Sequence, residues 1–247
     1  MTEYRFEFKY LLSPVAAAQA EAWIRSRGMF PDPYAPSGSY PVTSLYFDNF
    51  QKSDYSDKSG GFRKRVKIRA RSYQKILDEH TEKVWLELKE KDDAMIKKVR
   101  LSLDSDYWRN FLTKGPVYLL NKIVGQEREE LYPILWEFVT KGRKPVILVR
   151  YLRRPYLAVF EGQKVRLTFD SGIEAKAVGG VGSGSDLWYP ADWVSIEPRK
   201  VIMEIKFVKT LPGWFGDLIS YLELERTSVS KYARAIEAVR WYQTIPR

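Results

Sequence analysis

Arg65-Val66-Lys67-Ile68-Arg69-Ala70-Arg71-Ser72-Tyr73 alternates charged with small or apolar residues. In an extended chain, residues two apart share a face, so Arg65, Lys67, Arg69 and Arg71 line one side of a strand. The pattern recurs along the chain. Arg5, Glu7 and Lys9 share a face upstream, with Tyr4, Phe6, Phe8 and Tyr10 on the other. Downstream, Glu87 and Lys89 share a face, and Lys98 and Arg100 follow. Lys164 and Arg166 stand opposite Val165 and Leu167. Glu204 and Lys206 stand opposite Met203, Ile205 and Phe207. One such strand is the solvated side of an amphipathic sheet. Repetition over six strands, mostly with one sign, asks for more. Like charges about 4 Å apart repel by about 4 kcal/mol at an effective dielectric near 20, so the face calls for an anion. The apolar alternates need helices over them. The expectation is a barrel that is apolar outside, beneath helices, with a basic, hydrated bore.

Further strands are expected at Thr43–Asp48, Lys83–Glu90, Ile96–Leu103, Val146–Tyr151, Leu157–Glu161, Lys164–Asp170 and Val201–Phe207, from alternation and β-branched or aromatic content. Ser13 followed by Pro14 starts a helix that runs through Ala16–Arg25 and stops at Gly28. Asp104–Thr113, Glu127–Thr140 and Ser230–Tyr242 read as helices. Proline and glycine mark loops at Phe30–Pro41, Ser53–Phe62 and Val178–Ser185. The fold class is α+β, a sheet or closed barrel with helices outside.

The 247 residues, 45% hydrophobic and 29% charged, suit a globular chain with a sizeable core. No linker or internal repeat divides it, so a single domain over residues 1–247 is expected. Forty-one Lys and Arg against 31 Asp and Glu give +10, which favours an anionic partner. With no Cys there is no disulfide, thiol nucleophile or thiolate metal site. A single His, His80 in the polar turn Asp78–Thr81, excludes a multi-His zinc centre and argues against a Ser-His-Asp triad. No apolar run reaches transmembrane length and no signal-peptide pattern opens the chain, so the expected location is cytoplasmic. The basic residues alternate within strands, not across an exposed aromatic-basic surface, so nucleic acid is not an expected partner.

Arg5-Phe-Glu7-Phe-Lys9-Tyr10, Thr43-Ser-Leu-Tyr46-Phe-Asp48 and Lys67-Ile-Arg69-Ala-Arg71-Ser-Tyr73 resemble the VTC domain, the polyphosphate polymerase domain of the triphosphate tunnel metalloenzymes. Trp85-Leu-Glu87-Leu-Lys89, Lys98-Val-Arg100, Tyr151-Leu-Arg153, Val165–Asp170, Met203-Glu204-Ile-Lys206 and Ser230-Lys231-Tyr232 continue the resemblance in order, from about Arg5 to Ala235. It implies an eight-stranded antiparallel barrel, the triphosphate tunnel. It also implies ATP and inorganic polyphosphate as partners, Mn²⁺ or Mg²⁺ as cofactor, and growth of a phosphate chain from the γ-phosphate of ATP.

By the same resemblance Glu204, Lys231, Arg69 and Arg71 are the catalytic candidates. Arg5, Lys9, Lys67, Lys89, Lys98, Tyr151, Arg153, Arg166, Lys206 and Ser230 are the phosphate-binding ones. Phosphoryl transfer needs in-line positioning and charge neutralisation, and Arg forks grip phosphate oxygens bidentately. Glu204 is the expected metal ligand, with Glu7 weaker. Glu7 and Glu87 can equally serve as ion-pair partners. Tyr151 orients a phosphate or packs, and Arg154 competes with Arg153 for its role. Asp48 is read as structural, ending a strand. Related triphosphatases and cyclases begin Glu-x-Glu-x-Lys. Arg5 replaces the first Glu, exchanging a metal-holding carboxylate for a phosphate-holding cation, which favours polymerase over hydrolase. A metal-dependent triphosphatase or tripolyphosphatase and a non-catalytic polyphosphate-binding module remain the alternatives. No SPX domain or membrane helix is expected from these residues, and a membrane-protein partner is left open.

Overall fold

The computed structural model describes residues 6–92, 95–178 and 193–244. In chain order the elements are β1 (Phe6–Leu12), α1 (Pro14–Ser26), β2 (Phe30–Pro31), β3 (Tyr40–Asp48), α2 (Ser53–Ser59), β4 (Lys64–Ser72), β5 (Lys83–Asp92) and β6 (Met95–Asp104). There follow α3 (Ser105–Lys114), α4 (Val117–Leu120), α5 (Gln126–Lys141), β7 (Lys144–Phe160), β8 (Gln163–Ala177), β9 (Val194–Ser195), β10 (Val201–Phe207), α6 (Gly213–Tyr221) and α7 (Lys231–Thr244). The class is α+β, with a large antiparallel sheet. Among the described residues the strand pairing is an open path and not a closed ring, so the fold agrees with expectation and the word barrel is loose for it.

Two compact units divide the described residues. The first draws on Met1–Pro41, Tyr151–Ile173 and Ser195–Ser230, the second on Val42–Arg150, Glu174–Val194 and Lys231–Arg247. In the first, strands pair in the order β1-β10-β8-β7, with β2 against β7. Its core joins Tyr10, Leu12, Leu167, Phe169, Met203 and Ile205 of the sheet to Ala17, Ala20 and Ile24 of α1 and Phe215 and Leu218 of α6. The start of α1 is local chemistry. Ser13 Oγ accepts the Ala16 N–H at 3.1 Å, Pro14 needs no such partner, and Ala17, Ala20 and Ile24 fall on one buried stripe.

In the second unit the order is β7-β3-β4-β5-β6. Here the alternation has its expected consequence. Val66, Ile68 and Ala70 of β4, Val84, Leu86 and Leu88 of β5, and Leu101 and Leu103 of β6 are buried with Trp108 and Phe111 of α3 and Ile134 and Phe138 of α5. Phe47, Phe111 and Phe138 interlock with centroids 5.0–5.9 Å apart. Each such side chain contributes about 1.5–3 kcal/mol by leaving water. Burying this face under helices leaves the charged face of β4, β5 and β6 on the other side.

Three expectations are corrected. Ser53–Ser59, expected as loop, is helix α2, tied down where Asp54 Oδ2 accepts Arg143 Nη1 at 2.6 Å. The strands expected at Val146–Tyr151 and Leu157–Glu161 are one strand, β7, running through Pro155, whose carbonyl accepts the Asp32 N–H at 2.9 Å. Helix α6 was not expected. It is short, contains Gly213 and Gly216, and is held by the burial of Phe215 and Leu218. Most of the glycine-rich Val178–Ser185 stretch lies outside the described residues.

Candidate functional site: two charged strand lattices

In the second unit, residues directly opposite across the ladders share a face. Lys67 faces Lys89, which faces Lys98. Arg69 faces Glu87, which faces Arg100. Glu87 therefore sits at the centre of a three-strand lattice of cations. Its Oε2 accepts Arg69 Nε at 2.8 Å and Nη2 at 2.7 Å. Its Oε1 meets Lys98 Nζ at 3.0 Å and Arg100 Nε at 3.3 Å, while Arg71 Nε lies 3.9 Å from Oε2. Burial opposes the charge of Glu87, but Arg69, Arg71 and Lys98 outweigh it and hold the carboxyl below the usual carboxylate range. Lys98 moves the other way. Burial, with Arg69 and Arg71 adding to it against the pull of Glu87, lowers its pKa to about 8.

Tyr46 borders this lattice. Its hydroxyl accepts Arg69 Nη1 at 3.4 Å. Burial raises its pKa, but Arg69, Arg71 and Lys231 reverse the sign and lower it. Lys231 opens α7 and follows Ser230 directly, as expected for a helix start. Arg71 Nε also reaches Ser44 Oγ at 3.4 Å. The Arg100 guanidinium lies 3.9 Å over the Trp85 ring, a cation–π contact at the edge of the lattice.

The first unit carries a lattice of mixed sign. Glu7 faces Lys206, which faces Arg166. Lys9 faces Glu204, which faces Thr168. Lys206 Nζ lies 2.7 Å from Glu204 and 3.6 Å from Glu7, and Lys9 Nζ lies 2.8 Å from Glu7 and 3.4 Å from Glu204. Burial lowers the Lys9 pKa, but Glu204 and Glu7 together raise it above the ordinary value. Arg153 forms a fork with the fully buried Asp170, both distances 2.7 Å, beside Tyr151 and within the field of Glu204. Arg154 turns instead to Glu21 at 3.1 Å, so Arg153 is the member of the pair on the charged side. Arg166 Nη2 bonds Tyr40 at 3.0 Å and Asp32 at 3.2 Å.

The structure thus brings Arg69, Arg71 and Lys98 onto Glu87, sets Lys67 and Lys89 in the adjacent row, and brings Lys231 near Tyr46. Separately it groups Glu7, Lys9, Glu204, Lys206, Arg166 and Arg153 with Tyr151. Arg5 lies outside the described residues. Sequence reasoning missed Tyr46 and Asp170, while the ion-pair role open to Glu87 is the one its contacts show. The signal for Glu87 was present, since an acid alternating in register with flanking basic strands is their natural counter-charge. Among the described residues no group of three or more His, Cys, Asp or Glu side chains is placed to hold a metal ion. Glu7 and Glu204 share the same two ammonium groups, those of Lys9 and Lys206. Mg²⁺ and Mn²⁺ take one or two protein carboxylates and complete their shell with water and phosphate oxygens.

The VTC domain family model matches residues 4–240. Among solved structures, a putative adenylyl cyclase from Hippeastrum, described as having a dominant triphosphatase activity, is 15% identical over 96% of this chain and 96% of its own, with a TM-score of 0.51. A putative adenylate cyclase from Bacillus halodurans is 12% identical over 92% of this chain and 93% of its own, with a TM-score of 0.49. The search of curated proteins gave no match. At such identity the Hippeastrum likeness establishes the fold alone.

Proposed function

We propose that the chain, which belongs to the VTC domain family, is a polyphosphate polymerase with ATP as donor. The observation that carries this reading is the gathering of cations on the β4-β5-β6 face, where Arg69, Arg71, Lys98 and Arg100 all reach the buried carboxylate of Glu87. Four cations converging on one strand face suit a polyanionic chain. A terminal oxygen of the acceptor chain forms a bond to the γ-phosphorus, the β–γ bridging P–O bond breaks, and ADP leaves. Arg69 and Arg71 hold phosphate oxygens as forks. Lys9, Lys67, Lys89, Lys98 and Lys206 act as point charges, and Arg5, Arg153, Arg166, Tyr151 and Ser230 contact phosphate. Lys231, at the start of α7, adds charge where free N–H groups favour an anion. Glu204, with Glu7, would hold Mn²⁺ or Mg²⁺. When bound, that ion neutralises charge on the transferring group.

Incubation with γ-labelled ATP and Mn²⁺, resolved on a polyacrylamide gel, is expected to give a ladder of labelled chains. Free phosphate as the sole product would make the protein a triphosphatase. Tight tripolyphosphate binding without turnover would leave a binding module.

The same reading predicts a pH dependence. Lys98 binds phosphate as an ammonium ion, and its pKa is lowered to about 8. Tripolyphosphate affinity measured by calorimetry from pH 7 to 9 is therefore expected to fall as pH rises through about 8, with the inflection absent in Lys98→Met. A wild-type profile as flat as that of the variant would remove Lys98 from the phosphate site.

A further inference from the structure

Thr43–Asp48 and Ser230–Tyr232 are only partly used by the reading above, yet their acidic and aromatic members meet in the second unit. The Tyr232 hydroxyl donates to Asp48 Oδ2 at 2.5 Å. Asp48 is fully buried, and its Oδ1 accepts the backbone N–H groups of Asn49 at 2.8 Å and Asp54 at 3.2 Å. Both oxygens are engaged, so the anchor cannot turn away. Asp54 is pinned in turn by Arg143, which forks onto Glu137 at 3.0 and 2.7 Å. Burial and Asp48 push the Tyr232 phenol well above its ordinary value, so it remains a donor.

The ring of Tyr232 stacks on Tyr46, with centroids 5.2 Å apart and planes 28° apart. Lys67 Nζ lies 5.7 Å over the Tyr232 ring, and the Arg69 guanidinium lies 6.0 Å from the Tyr46 ring while bonding its hydroxyl. Arg69 is thereby fixed on two sides. Glu87 takes Nε and Nη2, and Tyr46 takes Nη1. Tyr46 is 6% exposed and Tyr232 2%, so neither ring is a surface for stacking a nucleobase.

We infer that Tyr232 is a positioning residue. Anchored on Asp48 and stacked on Tyr46, it sets where Arg69 and Lys67 present their charges. The inference rests on the proposed role of Arg69 and Lys67 in holding phosphate. A side chain whose ring and hydroxyl are both committed transmits position. Strand pairing alone would fix the Arg69 backbone and leave its long side chain to choose among rotamers.

The test is a double-mutant cycle read as the dissociation constant of inorganic tripolyphosphate, with melting temperatures recorded for every variant. Tyr232→Phe keeps the ring and removes the anchor. It is expected to weaken binding about tenfold in the wild-type background, the order of one lost hydrogen bond to a charged group. In an Arg69→Ala background the same change is expected to cost less than about threefold, because the residue it positions is gone. Should Tyr232→Phe not fold, Tyr46→Phe carries the test. It keeps the stack and removes only the oxygen that receives Arg69, and the same expectation holds. Equal losses with and without Arg69 overturn the positioning role, since a general structural defect adds independently. Failure of the wild-type protein to bind tripolyphosphate overturns the ligand class, and with it both readings. Binding by the wild type with additive variants overturns this one alone.

Discussion

Glu87→Ala is expected to destabilise the protein by about 3 kcal/mol, the lower end of the cost of breaking a buried ion pair. Glu87 is 2% exposed and is approached by Arg69, Arg71, Lys98 and Arg100 within 2.7–3.9 Å. Its removal leaves four cations with no central counter-charge. The cost stays at the lower end because Lys98 and Arg100 are 47% and 34% exposed and can swing toward water. Glu87 has a folded pKa below its ordinary 4.5. Its stabilisation is therefore complete above that ordinary value and is lost as pH falls from it through the folded value. The difference between wild type and variant is accordingly largest at neutral pH and shrinks in acid. Millimolar tripolyphosphate is expected to raise the melting temperature of Glu87→Ala more than that of the wild type, because the anion replaces the missing charge. Equal melting temperatures at pH 7 would show that the four cations need no counter-ion, and the argument for an anionic ligand on this face would fall with them.

The same lattice shows what a sequence can disclose. Period-two alternation is a local property, so Arg69 and Arg71 can be assigned to a charged face and Ile68 and Ala70 to a buried one without knowing any neighbour. The Ser13-Pro14 start of α1 is equally local. Features fixed by distant partners were not legible. Helix α2 is short and polar, and its tie is Asp54 to Arg143, 89 residues away. Strand β7 continues through Pro155, a residue that ordinarily interrupts a strand, with Asp32 bonding the proline carbonyl. The Asp48–Tyr232 bond spans 184 residues, so the strand end that Asp48 marks was legible and its partner was not. In the candidate site the cations stood out because they repeat. Tyr46 and Asp170 each occur once, and only their contacts reveal them.

Glu204→Gln is expected to lower ATP consumption by about a hundredfold or more, since charge neutralisation by a bound metal is worth several kcal/mol. The substitution keeps the volume and one oxygen acceptor. Lys9 and Lys206 also retain Glu7, at 2.8 and 3.6 Å, so the mixed lattice keeps a counter-charge that the Glu87 lattice would lack. The melting temperature is therefore expected to drop less than in Glu87→Ala. Two roles compete for this carboxylate, metal ligand and ion-pair partner. Both predict some loss of activity, so activity alone does not separate them. Mn²⁺ affinity does. A hard cation loses a charged oxygen ligand when Glu204 becomes Gln, whereas a pure ion-pair role leaves the metal untouched. Calorimetric titration with Mn²⁺ is expected to show weaker binding in Glu204→Gln than in Glu7→Gln, because Glu204 is the more buried of the two, at 8% against 18% exposure. Wild-type Mn²⁺ affinity in Glu204→Gln would return Glu204 to the role its distances already show, a bridge between Lys206 and Lys9.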